Sequence, residues 1–162
     1  MLTETELMHY LETNNLPFER SEHPAVFTCA EAELHRPHKK AVSAKNLFLC
    51  DKKGRRFFLV VTACEKTMDL LKLAVQIGAP HLRFASEENL ERLLGVTRGS
   101  VTMMALINDA GHQVELWLDE EIWSENLFQS HPLVNTATLL LEKETLQRFF
   151  ALTGHEVHLL QC

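Results

Sequence analysis

No run of apolar residues in this chain approaches the roughly 18 to 20 needed to cross a bilayer. Met1 leads into Thr3-Glu4-Thr5-Glu6, where a secretory leader would carry basic and then apolar residues. The expectation is a cytoplasmic protein with no membrane partner. Cysteine is sparse and scattered: Cys29, Cys50, Cys64 and Cys162 contain no Cys-x-x-Cys pair. That pattern suits neither a zinc knuckle nor a disulfide framework, so the four are expected to be small buried apolar side chains. Also missing are a Gly-x-Ser-x-Gly elbow, a Gly-x-x-x-x-Gly-Lys phosphate loop and a His-Glu-x-x-His zinc helix. Their absence removes three common hydrolase designs. His35 and His38 stand three apart but are interrupted by Pro37, and His155 and His158 would face opposite sides of a strand, so neither pair suggests a shared metal. No metal and no cofactor are expected.

What remains is an ordinary folded composition. With 162 residues, 46% hydrophobic and 23% charged, the chain has apolar surface enough for one core and is expected to form a single domain over residues 1–162. Nothing announces a subunit interface, so a monomer is expected. The net charge of −6 argues superficially against a nucleic-acid partner, but its distribution does not. Arg36, Lys39, Lys40, Lys45, Lys52, Lys53, Arg55 and Arg56 fall in one short stretch against the single acid Asp51. Such a stretch is either a solvated face or a phosphate-binding one.

Local signals mark the elements. Thr3 and Glu6 form a capping box, with Leu2 and Leu7 as a staple, so a helix is expected to about Glu12. Leu16 to Arg20 reads as an edge strand. Thr28 and Glu31 repeat the capping pattern for a short helix from Cys29 to about Leu34, ahead of Pro37. Lys45 to Cys50 and Arg56 to Thr62 read as a hairpin with a basic tip at Asp51-Lys52-Lys53-Gly54. Leu70, Leu71, Ala74 and Ile77 follow helical spacing and Gly78 is placed to end that helix. A strand at Leu82 to Phe84 precedes a helix capped by Ser86 and closed by Gly95. Gly95 to Thr102 is expected as a loop, and Met104 to Ile107 with Gln113 to Leu118 as a second hairpin. Asn126 to Gln129, Ala137 to Leu141 and Val157 to Leu160 read as strands, with a helix carrying Leu146, Phe149 and Phe150 between the last two. Hairpins mixed with strand-helix-strand connections predict an α/β (mixed α+β) fold, a curved mixed sheet with helices on one side.

Three polar features lie where loops meet strands: Lys45-Asn46, Gly99-Ser100-Val101-Thr102, and His131-Pro132-Leu133-Val134-Asn135. Loops held on a rigid sheet are where sites usually form. Each signal has a plain structural alternative: a solvated lysine, a turning glycine, a histidine that caps a turn.

At these features the sequence resembles the YbaK and ProX family of aminoacyl-tRNA editing domains, and among them the free-standing prolyl-tRNA-type deacylases. The resemblance covers nearly the whole chain. It is carried by His23-Pro24-Ala25-Val26 before Thr28, Ser43-Ala44-Lys45-Asn46-Leu47-Phe48-Leu49, Leu94-Gly95-Val96 with Gly99-Ser100-Val101, Ala105-Leu106-Ile107-Asn108-Asp109, and His131-Pro132-Leu133-Val134-Asn135-Thr136-Ala137-Thr138. It implies the family's editing-domain fold and hydrolysis of a small amino acid, typically alanine, from tRNA for proline. The implied partner is the acceptor end of a mischarged tRNA, with transient association with a synthetase, and no metal or cofactor. By the resemblance, Lys45 and His131 are the catalytic positions, acting as binding and orienting groups. Asn46, Gly99, Ser100, Val101, Thr102, Met103 and Asn135 are substrate-binding. Lys39, Lys40, Lys52, Lys53, Arg55 and Arg56 are the candidate tRNA contacts, with the basic hairpin beside the acceptor end. One position departs from the family pattern: its glycine loop commonly reads Gly-x-x-x-Pro, and Met103 stands where that proline would be. This predicts a reshaped amino-acid pocket, which leaves alanine, serine, threonine and cysteine open as the residue removed. The competing reading is a non-catalytic tRNA-binding module that kept the fold.

Overall fold

In a computed structural model, which describes residues 1–36, 38 and 40–162, the local signals resolve first. The Thr3 hydroxyl accepts from the Glu6 amide while the Glu6 carboxylate accepts from the Thr3 amide, starting α1 (Glu4–Thr13) with a complete capping box. Leu7 and Leu11 carry its buried face. After β1 (Glu19–Glu22), Thr28 caps α2 (Cys29–Leu34), a helix with no buried residue of its own. The first hairpin forms as expected from β2 (Ala44–Cys50) and β3 (Phe57–Ala63). Next come α3 (Leu70–Ile77), β4 (Arg83–Phe84) and α4 (Glu87–Leu94). Gly78 and Gly95 end the two helices at φ +76° and +65°, a region glycine enters without steric cost.

The second expected hairpin is not there. Met103–Asn108 is a 3₁₀ helix, capped by the Thr102 hydroxyl on the Met104 amide. A short apolar run has no periodicity that separates strand from helix, and here the side-chain cap decides the matter. The following strand β5 (Val114–Asp119) pairs instead in parallel with β3 and with β8 (Val157–Leu160). Between them lie α5 (Glu120–Trp123), β6 (Leu127–Ser130), β7 (Ala137–Glu142) and α6 (Lys143–Thr153).

The strands make two sheets rather than one. A five-stranded mixed sheet has the order β4-β2-β3-β5-β8, and a three-stranded antiparallel sheet the order β1-β7-β6. A parallel bridge between Val42 and Phe128 joins them. Every residue of β3 is buried, as a central strand covered on both faces requires. Phe57, Leu59 and Val61 face the main core with α1, α4 and α6, whereas Phe58 and Val60 face α3 through Leu73 and Ile77. Helices therefore cover both faces, which corrects the one-sided expectation. The fold is mixed α/β, and among the described residues no helix is long and apolar enough to cross a membrane.

Two of the four cysteines are not lone apolar side chains. Cys29, the first residue of α2, and Cys64, just past β3, are joined in a disulfide with Cα atoms 5.8 Å apart, while Cys50 is buried and Cys162 exposed. The pairing links residues 35 apart in sequence, and their spacing carries no local mark of it. His155 and Asp109 likewise meet across the fold: the imidazole Nε2 lies 2.9 Å from the carboxylate Oδ2, both buried.

Candidate functional site

The two sheets meet where β2 begins, β3 ends and β6 runs into His131. Around that junction lies a cavity of about 150 Å³, whose wall includes Lys45, Asn46, Gly99, Val101 and His131. The three polar features of the sequence thus converge on one space, each brought there by a different element. Phe27, Ala32 and Arg98 complete much of the rim, and the Cys29–Cys64 disulfide forms part of its wall.

Lys45 projects from β2 opposite Thr62. Its ammonium donates to the backbone carbonyl of Lys66, in the turn beyond β3. That turn is anchored by the Lys66 side chain, which donates to Asp119 at 2.9 Å and to Glu121 at 2.6 Å. Asp119, 1% exposed, also accepts from the Thr62 hydroxyl at 2.7 Å. Burial alone would push the Asp119 carboxyl up, but the bonds from Lys66, Thr62 and the Glu121 amide outweigh it and hold the group below the usual aspartate value.

His131 has an assigned tautomer. Its Nδ1 lies 3.0 Å from the Ala137 carbonyl, which can only accept, so Nδ1 carries the proton and Nε2 is left with a free lone pair. Burial pushes the imidazole pKa down from its ordinary 6.5, the bond to the Ala137 carbonyl opposes that, and nearby His23 adds to the fall. The ring is therefore neutral at neutral pH. Its backbone carbonyl accepts from the Thr102 hydroxyl at 2.7 Å. Because that hydroxyl has one proton, the Ser130 hydroxyl 2.8 Å away must donate to it. Thr102 is fully buried and Ser100 nearly so. These two support the wall from behind rather than line it.

The other expected positions divide. A Cβ at Gly99 would lie 3.0 Å from Phe27 Cδ1 and 3.4 Å from Asn135 Nδ2, so the exposed Phe27 ring would have to give way. Asn135 acts as a brace: its Nδ2 donates to the Val26 carbonyl at 2.9 Å, and its own carbonyl accepts from the Val26 amide. Met103 is 1% exposed and packed in the main core, so its side chain does not shape the cavity. The reshaping expected from the missing proline accordingly has no side-chain basis.

The basic residues are spread over the molecule. Lys39 lies outside the described residues. Lys40 is exposed and borders the outer side of α2, near Cys29 and Arg36. Lys52, Lys53 and Arg55 are exposed at the hairpin tip, which is the opposite end of β2 from Lys45, roughly 20 Å away at about 3.4 Å per residue. Arg56 is paired with Glu115 at 3.0 Å and lies over the Phe58 ring. The hairpin tip therefore stands apart from Lys45 and the cavity.

One residue that borders the site was missed as a site residue in the sequence. Arg36, just past α2, is held by Glu33 at 3.0 Å and by the Ala41 carbonyl, and borders a second, smaller chamber behind His131. Its only sequence signal was membership of the basic stretch, which has no power to separate it from Lys52.

The chain is similar to proteins already known. The aminoacyl-tRNA editing domain family matches residues 23–149. The chain is 39% identical over 152 residues to prolyl-tRNA synthetase associated domain-containing protein 1 of Danio rerio, covering 93% of this chain and 82% of that protein. It is 35% identical over 134 residues to the prolyl-tRNA editing protein ProX of Acetoanaerobium sticklandii, covering 83% and 82%. A crystal structure of a proposed trans-editing enzyme for prolyl tRNA synthetase superposes with a TM-score of 0.70 at 23% identity, over 100% of this chain and 99% of that one. At that identity the likeness speaks for the fold.

Proposed function

This chain belongs to the aminoacyl-tRNA editing domain family, and from that membership we propose that it is a cytoplasmic deacylase. It hydrolyses the ester joining a wrongly attached small amino acid to the 3′ end of a tRNA, with alanine on tRNA for proline as the first expected substrate. The observation that supports this reading is the convergence of Lys45, Asn46, Gly99, Val101 and His131 on one small cavity from distant parts of the chain.

The need for such an activity is physical. A synthetase pocket large enough for proline rejects a smaller amino acid weakly, because each missing methylene is worth only about 1–3 kcal/mol, so a second site must destroy the small product. Ala32, Ala44, Gly99 and Val101 leave a space of about 150 Å³ between the larger Phe27, Lys45, Arg98 and His131, room for a small aminoacyl group, with a larger one excluded by overlap. Lys45 supplies a cation for a phosphate or for the terminal adenosine. Water adds to the ester carbonyl carbon. The bond from that carbon to the ribose oxygen then breaks; one water proton ends on the ribose oxygen and the other is released to solvent with the carboxylate product. An ester is activated enough that positioning carries most of this step, and a neutral His131 with a free Nε2 accepts a hydrogen bond from the water or substrate.

The test is deacylation of tRNA for proline charged with alanine, serine, cysteine or proline, comparing the native protein with Lys45→Ala and His131→Ala. Rapid loss of one small amino acid, slowed about tenfold or more by either substitution, is expected. Because burial holds His131 below 6.5, the rate is expected to stay level at neutral pH and fall only below that value. If tRNA binds and no ester turns over faster than without protein, the hydrolase reading is wrong and a binding module takes its place.

A further inference from the structure

Behind His131 lies a second chamber of about 60 Å³, sharing Ala32, Ala44, Asn46 and His131 with the main cavity. Its remaining wall is polar, with Arg36, Ser43, Ser130 and Thr138 among its residues. Two polar atoms in that wall are buried with no hydrogen-bond partner among the described residues: Arg36 Nε, a donor, and Asn46 Oδ1, an acceptor. Unpaired buried polar atoms each cost about 1–3 kcal/mol and are rare unless they serve a bound group. Nη1 of Arg36 donates to Glu33 and Nη2 to the Ala41 carbonyl, which leaves Nε as the one nitrogen of the group without a partner among the described residues.

The neighbouring hydrogens can be assigned. His23 Nδ1 lies 2.8 Å from the Pro24 carbonyl and must donate to it. His23 Nε2 therefore accepts, at 2.7 Å, from the Thr138 hydroxyl. The Ser130 hydroxyl proton is directed to Thr102. Besides the Gln129 side chain, the chamber wall offers one donor at Arg36 Nε, an acceptor at Asn46 Oδ1 and an acceptor at His131 Nε2. A water molecule matches that set: it accepts from Arg36, donates to Asn46 and His131, and keeps one lone pair.

We propose that this chamber holds the attacking water, oriented by Arg36 and Asn46 behind the ester that the main cavity receives. The inference rests on the hydrolase reading above and adds Arg36 to its machinery. The volume is sufficient, since one water needs roughly 10–15 Å³ and two to four polar partners. Water centres can range over about 5 Å in a space of that volume, which brings a water at ordinary hydrogen-bond length within reach of its polar walls. In the step itself the water's remaining lone pair forms the bond to the carbonyl carbon. The proton shared with His131 Nε2 passes to that nitrogen as the bond forms and returns to the ribose oxygen as the ester bond breaks. Nothing is oxidised or reduced.

The test pairs kinetics with crystallography on the full chain. Arg36→Met removes the donor while keeping the length of the stem. Asn46→Ala removes the acceptor from the opposite wall and serves if the first variant unfolds through loss of its Glu33 and Ala41 anchors. Each is expected to lower kcat tenfold to a hundredfold with KM changed less than about threefold, and Arg36→Lys, which keeps a cationic donor, to restore part of the loss. A high-resolution crystal structure of the native protein is expected to show a water oxygen within hydrogen-bond distance of both Arg36 Nε and Asn46 Oδ1, absent in Arg36→Met. No water at those atoms overturns the proposal, as does a folded Arg36→Met enzyme with native kcat. A native protein that hydrolyses no aminoacyl ester overturns the hydrolase reading and this inference with it. A native protein that is active and slowed by Lys45→Ala but indifferent to Arg36→Met overturns this inference alone.

Discussion

Thr102→Val isolates the hydrogen bonds that tie the glycine loop to His131, because it exchanges a hydroxyl for a methyl of similar volume. Thr102 is fully buried, so water does not replace what is lost. Its hydroxyl donates to the His131 carbonyl at 2.7 Å and accepts from Ser130 at 2.8 Å and from the Met104 amide at 3.2 Å. Each buried group left unpaired costs about 1–3 kcal/mol, and Ser130 is free to turn to another acceptor, so a loss of about 3 kcal/mol is expected. In a chain of this length that lowers Tm by roughly 6–12 °C. Thr102→Ser is the control: it keeps the hydroxyl and gives up one methyl, worth about 1 kcal/mol. Urea and thermal unfolding of the three proteins measure the difference, and deacylation at a temperature where all are folded reports on the site. With the carbonyl of His131 released, the Val variant is expected to lose rate where the Ser variant does not. Equal stability of the Val and Ser variants, or native rates in both, would refute the view that this hydroxyl positions His131.

Three further perturbations separate fold from site. Gly99→Ala places a methyl 3.0 Å from Phe27 Cδ1, but Phe27 is 70% exposed and swings away cheaply, so stability is expected to change by less than about 1 kcal/mol while deacylation slows; unfolding and rate measured together check this. Asp109 is pushed up by burial but held below the ordinary 3.8 by His155 and by the Val114 and Gln113 amides. Its stabilisation is therefore complete above 3.8 and lost as pH falls through the lower folded value. Asp109→Asn is expected to be the less stable protein by about 3 kcal/mol at pH 7, a gap that closes in acid and is measured by urea unfolding at several pH values. Cys64→Ser opens a loop of 35 residues, for which chain entropy predicts a loss of up to about 4 kcal/mol. A dithiol reductant is expected to lower the native Tm in the same direction and to leave the Ser variant unchanged.

What could be read from the sequence was what is decided within three or four residues. The capping boxes at Thr3 and Thr28, the Ser86 cap and the left-handed glycines at 78, 95 and 154 are local arrangements of a side chain and the adjacent backbone. The strand alternation in Val114–Asp119 and the nearly continuous apolar run of β3 are almost as local. The errors lie where a distant partner decides. Met103–Asn108 had apolar character enough for a strand, but the strand beside β3 is β5, whose first amide is held by Asp109. The split into two sheets depends on β1 finding β7, more than a hundred residues away in the chain. The disulfide has the same character.

The site shows the same division with a different consequence. Lys45, Gly99 and His131, which share one cavity wall, were recognisable because each stands in a motif, yet a motif does not say where polar atoms point. Met103 stands in the motif and its side chain is in the core, while Arg36 stands in no motif and borders the chamber behind His131. The difference follows from how the wall is made. After Gly99, Ser100, Thr102 and Met103 are buried and only Val101 reaches the cavity, so sequence change at those three is felt through packing. Helix α2 has no buried residue of its own and is held by a cap, the disulfide and the Arg36 anchors, so change there is felt directly at the cavity rim. Specificity for the amino acid should accordingly respond more to Ala32, Ala44 and Val101, whose side chains line the space, than to the position where the family's proline is missing.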